Sequence, residues 1–202
     1  MKAGLLRSPL SLRIAPTVIA GLVLVVSIGH AQENPAGTAR SYSSPYGTRI
    51  VISHAKRRAT TRESLITFYS SKGQKLCSAD YSSEDGEHGY GVAKAAWTPD
   101  GRYFVYSLES SGGHSVMNTP TEFFSRDARQ VCSLDAFVGG NGIEFADFQL
   151  SPPDTVELTV NAVAKPVRVS LGSIMNRSDK LWMQHCVPCT EGKVHKFGDS
   201  IK

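Results

Sequence analysis

The sequence predicts an all-β domain made of about three antiparallel β-units of roughly 54 residues each. Three observations carry that reading. A turn signature recurs as "SPYG" at Ser44–Gly47, "TPDG" at Thr98–Gly101 and "SPPD" at Ser151–Asp154, at spacings of 54 and 53 residues. An alternating or apolar run follows each turn: "TRIVIS", "RYFVYSL" and "TVELTV". A second line is written twice, "FYSSKGQKLCSAD" from Phe68 and "FFSRDARQVCSLD" from Phe123, with Phe, Ser, Cys, Ser and Asp repeated 55 residues apart.

Each element has a local cause. In the turns, Pro45, Pro99 and Pro152 fix φ at the second position, and Gly47, Asp100 and Gly101 stand where the chain reverses. The β-branched and aromatic residues on either side read as strands. In the repeated line "SLITFYS" rises, "SKGQ" turns and "KLCSADY" returns; in its second copy "TEFFS", "RDAR" and "QVCSLDAF" do the same. A hairpin at the Pro turn followed by this second hairpin makes a four-stranded unit. One unit cannot bury its own apolar face, so neighbouring units must cover it.

The flanks read differently. Lys2, Arg7 and Arg13 precede an apolar run from Ile14 to Ile28 and a small-residue site at Gly29-His30-Ala31, the layout of a secretory signal peptide. The run is 15 residues long, interrupted by small residues and Pro16, and falls short of the about 20 that span a bilayer. The expected division is therefore 1–31 as signal peptide, 32–172 as the repeat β domain and 173–202 as a C-terminal capping tail. Removing three basic residues from 22 leaves 19 against 18 acidic ones, a net charge of about +1. That is too small an excess for a nucleic-acid binder. No stable membrane anchor is expected after cleavage, and no cysteine at the cleavage site offers a lipid attachment point. In the tail, "SDKLWMQH" carries Ser178 as a cap with Leu181, Trp182 and His185 at near-helical spacing, which predicts a short helix.

The central unit, Val92 to Phe137, resembles the TolB-type β-propeller repeat of bacterial periplasmic proteins. The residues that carry the resemblance are Trp97, Thr98, Pro99, Asp100 and Gly101, matching that family's aromatic-Ser-Pro-Asp-Gly turn with Thr for Ser. In the first unit Tyr46 replaces the Asp; in the third Pro153-Asp154 replaces Asp-Gly. The resemblance implies a propeller-like stack and protein partners in the cell envelope, met through loops on one rim. Propellers close with about four to eight blades. Three units therefore imply a small open, capped stack, two chains closing one ring as a homodimer, or a β-sandwich.

Chemistry-bearing residues are few. Cys77, Cys132, Cys186 and Cys189 make an even count, which predicts two disulfides in an exported protein. Two pairings stay open: Cys186 with Cys189 plus Cys77 with Cys132, or each repeat cysteine with one tail cysteine. "HCVPC" also admits an envelope thiol-redox protein, or zinc held by Cys186, Cys189, His185 and His195. Haem attachment is excluded, because Thr190 follows the second cysteine where His is required. "SSEDGEHGYG" gathers Glu84, Asp85, Glu87 and His88 on a Gly-rich loop that fits no calcium pattern and reads as a solvated connection. "HAKRRATTRE" reads as an exposed basic hairpin loop. His114 beside Ser115 is adjacency in sequence alone, and no catalytic signature appears. The expectation is an exported, periplasmic or secreted, non-catalytic binding or scaffold protein without a resident cofactor. It would meet an unidentified protein partner and no nucleic acid.

Overall fold

A computed structural model describes residues 39–54, 62–112, 120–138, 145–160, 166–177 and 184–196. The signal segment 1–31, most of the basic loop after His54, His114 and Ser115, the glycines at 139–142 and residues 178–183 of the predicted tail helix lie outside them. Among the described residues the chain is mostly strand, in three sheets with no closed barrel.

The first sheet holds β1 (Arg40–Ser43), β2 (Arg49–His54), β3 (Ser64–Tyr69) and β4 (Lys75–Asp80), with β13 (Val194–Lys196) added beside β4. The second holds β5 (Tyr90–Trp97), β6 (Tyr103–Ser110), β7 (Thr121–Ser125) and β8 (Gln130–Ser133), with β12 (Cys186–Pro188) added beside β8. The third holds β9 (Phe145–Ser151), β10 (Thr155–Val160) and β11 (Val167–Ser170). Two short helices, α1 (Asp135–Val138) and α2 (Leu171–Met175), follow β8 and β11. Every pairing is antiparallel except β13 on β4.

The written repeat is a structural repeat. Phe68 stands opposite Cys77 across β3 and β4, and Phe123 opposite Cys132 across β7 and β8. The copies differ by one register shift, between Phe68 and Tyr69, which the second hairpin lacks. Each unit opens with a strand, turns at its Pro signature and returns, in β1–β2, β5–β6 and β9–β10 alike.

Burial follows the sequence pattern. β3, with its alternating "SLITFY", is buried on one face and half-buried on the other. β6 and β7, "YFVYSL" and "TEFFS", are buried on both. A strand covered on one side alternates, and one covered on both reads as a continuous apolar run. The second sheet is accordingly the middle layer. One core joins Ile50, Ile66 and Phe68 of the first sheet to Phe104, Tyr106 and Phe124 of the second. The other joins Val105, Phe123 and Leu134 to Phe148, Val156 and Leu158 of the third. Phe68 and Phe124 meet with ring centroids 4.6 Å apart. Each such fully buried aromatic or branched side chain contributes about 1.5–3 kcal/mol.

The units face the same way. Phe68 and Cys77 look from the first sheet toward the second, and their counterparts Phe123 and Cys132 look from the second toward the third. The third sheet turns Val156 and Leu158 back to the second. Its other face carries Glu157 and Arg168, paired at 2.6 Å, and ends the stack in polar groups.

The expected tail helix over Ser178–His185 lies outside the described residues except for Gln184 and His185. Ahead of it stands α2, which starts at Leu171, with Ser170 Oγ accepting the Ser173 N–H as its cap. Farther on, the tail supplies β12 and β13, which cover the open edges of β8 and β4. The reason is backbone accounting: an edge strand leaves a row of N–H and C=O groups without partners, and an extended tail satisfies them where a helix would not.

Candidate functional site

The Pro turns of the three units lie along one rim and touch. Gly47 and Gly101 adopt left-handed φ of +81° and +64°. A Cβ on Gly101 would stand 2.7 Å from Pro45 Cδ, so glycine is required there for the approach as well as for the turn. Asp100 accepts the Thr98 hydroxyl at 2.6 Å and the Arg102 N–H at 3.1 Å, while its own N–H donates to the Pro153 carbonyl at 3.2 Å. In the third unit the buried Asp154 accepts the Gly172 N–H at 2.8 Å and the Ser170 hydroxyl at 3.0 Å, tying the rim to α2. The structure thus places Pro45, Gly47, Pro99, Asp100, Gly101 and Pro152 in consecutive turns of this rim.

Between the first and second units the rim opens into a groove of about 300 Å³. Ser70 and Ser71 line it from the β3–β4 hairpin, and Arg126 and Arg129 from the β7–β8 hairpin. The buried Leu76 and the 61 % exposed Tyr46 also contribute. The Arg126 guanidinium lies 4.3 Å from the Tyr46 ring centre and donates to the Gly101 carbonyl at 3.3 Å. Arg126 and Arg102 both pair with Asp127, at 2.9 and 3.2 Å. Burial pushes the Asp127 carboxyl up, and these contacts together outweigh it and hold the group below its ordinary value. Arg129, Lys72 and Lys75 have no carboxylate partner among the described residues.

All four cysteines are bonded, Cys77 to Cys189 and Cys132 to Cys186. Of the two pairings left open by the sequence, the structure takes the one that joins each repeat cysteine to a tail cysteine. Cys186 and Cys189 are therefore no dithiol pair in this state, and their sulfurs are not thiolates. His185 stacks edge-on against Phe137 at 6.2 Å, and His195 lies on β13 opposite Ala79. No group of three His, Cys, Asp or Glu residues is placed to hold a metal ion among the described residues.

Two buried carboxyl groups escaped the sequence reading. Glu63 is fully buried, and its oxygens accept the Ser83 hydroxyl at 2.6 Å, the Gly89 N–H at 2.7 Å and the Ser111 hydroxyl at 3.0 Å. It fastens the 82–91 loop, in which Asp85 pairs with the His88 ring. Hydrogen bonds, led by the Glu87 N–H, hold Asp85 well below the usual carboxylate range. His88 offers its backbone N–H, at 3.1 Å, to Ser83 Oγ.

Glu122 is 3 % exposed and lies between the first two sheets. Its carboxyl accepts the Tyr106 hydroxyl at 2.8 Å and that of Tyr81, and the two hydroxyls stand 2.8 Å apart. No cation accompanies it among the described residues. Burial pushes its pKa up to about 7, against the pull of the two hydroxyls, and drives both tyrosines well above theirs. Asp135 at the start of α1 is also raised to about 7, by burial and by the Glu122 charge, although the Thr121 N–H donates to it at 3.1 Å. The sequence held one signal for Glu122. Its counterpart in the first copy is Thr67, which faces outward; in the middle layer the same face is buried, so a Glu there must enter the core.

No family model, no curated protein and no solved structure matches this chain in the comparisons made.

Proposed function

We propose that this chain is an exported, non-catalytic binding or scaffold protein whose units form a propeller-like open stack of TolB type, engaging a protein partner through the rim of Pro turns. The single observation that carries the reading is the row of turns. Three loops of the same repeated turn are locked side by side, and the row ends in a groove with an exposed aromatic and, in Arg129, a cation without a carboxylate partner among the described residues. Loops held by a rigid scaffold are where binding residues concentrate.

The propeller-like arrangement is supported by contacts between the first strands of successive units. An Arg40 Nη donates to the Val92 carbonyl at 2.7 Å, and Lys94 Nζ donates to the Phe148 carbonyl at 2.6 Å. A polar face on the third sheet supports an open stack that ends there, because terminal repeats need a solvated outer side. Export is supported by the leader-like first 31 residues and by two disulfides, which persist in oxidising compartments. No helix of the described residues is long and apolar enough to cross a membrane.

The test is photo-crosslinking in the envelope of the producing cell. A photoreactive residue at Tyr46 should yield a discrete adduct that the same residue at Thr159, on the polar outer face, does not. Equal adducts at both positions, or none at Tyr46, would remove the rim as the docking face.

A further inference from the structure

We infer that the groove between the tips of the β3–β4 and β7–β8 hairpins receives carboxylate side chains of an extended acidic segment on the partner; this rests on the turn rim being the docking face.

The first observation is a backbone outlier. Arg129 has φ of +52°, the one non-glycine residue with positive φ among those described. At the matching bend of the first hairpin stands Gly73, with φ of +79°. An L side chain in this region is disfavoured by contact between its Cβ and the following carbonyl oxygen. The bend serves the fold through its main chain alone, for the Arg129 carbonyl accepts the Cys189 N–H at 2.7 Å. Glycine would keep that bond without the strain. What arginine adds is its guanidinium, and strain of this kind collects at binding sites.

The second observation is charge. Arg102 and Arg126 are already committed to Asp127, whereas Arg129 on the groove wall has no carboxylate partner among the described residues. Lys72 and Lys75, on the facing hairpin, are likewise without one. The open charge on the groove wall is therefore positive, in Arg129, and the facing hairpin carries two more cations outside the lining.

The third observation is the lining. A planar guanidinium matches a carboxylate with two parallel hydrogen bonds. The Leu76 floor and the exposed Tyr46 ring offer apolar surface to the methylenes of a Glu side chain, which a bare inorganic anion would leave unused. An open trough of about 300 Å³ between two hairpins admits a chain in extended form.

The experiment uses the full mature chain with its disulfides intact. The probes are a fluorescent Glu-rich peptide, its Gln-for-Glu counterpart and inorganic phosphate as competitor. Wild type should bind the Glu peptide in a salt-sensitive way and ignore the Gln peptide. Arg129→Gly should lose about tenfold or more in affinity, the worth of one charge-assisted pair, while unfolding at the same or a higher denaturant concentration. Unchanged peptide affinity in Arg129→Gly would overturn the inference, as would a loss of stability in that variant. Displacement of the peptide by phosphate at equal concentration would mark a generic anion site and overturn the peptide assignment. Absence of peptide binding while the Tyr46 crosslink still forms would sink the carboxylate inference alone. Failure of the crosslink would sink the rim reading beneath it.

Discussion

Replacing Glu122 by glutamine should flatten the dependence of stability on pH near neutrality. The carboxyl is buried between two sheets with only the Tyr81 and Tyr106 hydroxyls as partners, so its ionised form is disfavoured in the folded chain. Its folded pKa lies at about 7, above the 4.5 ordinary for a glutamate. A folded pKa above the unfolded one means that bound proton favours the fold. The stabilisation is complete below about pH 4.5 and is lost as pH rises through 7. Raising the carboxyl from 4.5 to about 7 is worth about 3 kcal/mol over the whole titration. Asp135, raised to about 7 as well, acts in the same direction and window. Asp85 and Asp127 are shifted down, so their contributions are already complete at about pH 5 and stay constant above it. The assay is urea unfolding of the mature, oxidised protein between about pH 5 and pH 8. Wild type should weaken across that range, and Glu122→Gln should weaken by about 2.5 kcal/mol less. The comparison is between slopes, so any constant effect of the amide on packing drops out. Equal slopes in the two proteins would show that the carboxylate is compensated when folded, and would refute the account of the buried triad.

Gly101→Ala should destabilise the fold by about 2–4 kcal/mol, because it adds a Cβ against Pro45 at a positive φ; an unchanged denaturation midpoint would mean that the turns of the first two units do not touch in solution. Replacing Cys132 and Cys186 together by alanine opens a link across a separation of 54 residues. A loss of up to about 4 kcal/mol is expected by chain entropy, together with faster proteolysis of the tail after Arg177. No loss in either measurement would show that β12 stays on β8 without its sulfur link. Protein purified from the periplasm without reductant should titrate no free thiol and carry no stoichiometric zinc; a reactive thiol or bound zinc would revive the redox or metal reading of the C-x-x-C segment.

The parts of this fold that sequence makes visible are those whose local physics is strict. A reversal after Pro99 needs a residue such as Gly101 that tolerates positive φ, so the turn leaves a mark that can be counted. The hairpin line repeats because Phe123 and Cys132 occupy the same cross-strand positions as Phe68 and Cys77. Even the order of layers was written, in the contrast between alternating "SLITFY" and unbroken "YFVYSL", although only the structure turned it into a middle sheet. Long-range choices left no such mark. Nothing local says that Cys189 rather than Cys186 meets Cys77, or that Val187 and Val194 end up in strands of different sheets. The groove was dispersed too: Ser71 and Arg129 are 58 positions apart, in the turns of the two repeated hairpins, and neither is one of the residues that the two copies share. Arg129 is informative only through its φ, which a sequence does not display.

The two sulfur links impose an order on maturation. A chain made from its N-terminus presents Cys77 and Cys132 to the oxidising machinery well before either tail thiol emerges. Until then those two have only each other, and the outer borders of β4 and β8 stand bare. The stretch that seals both comes later in the chain than either border, so a molecule interrupted before Cys186 is left without its latch.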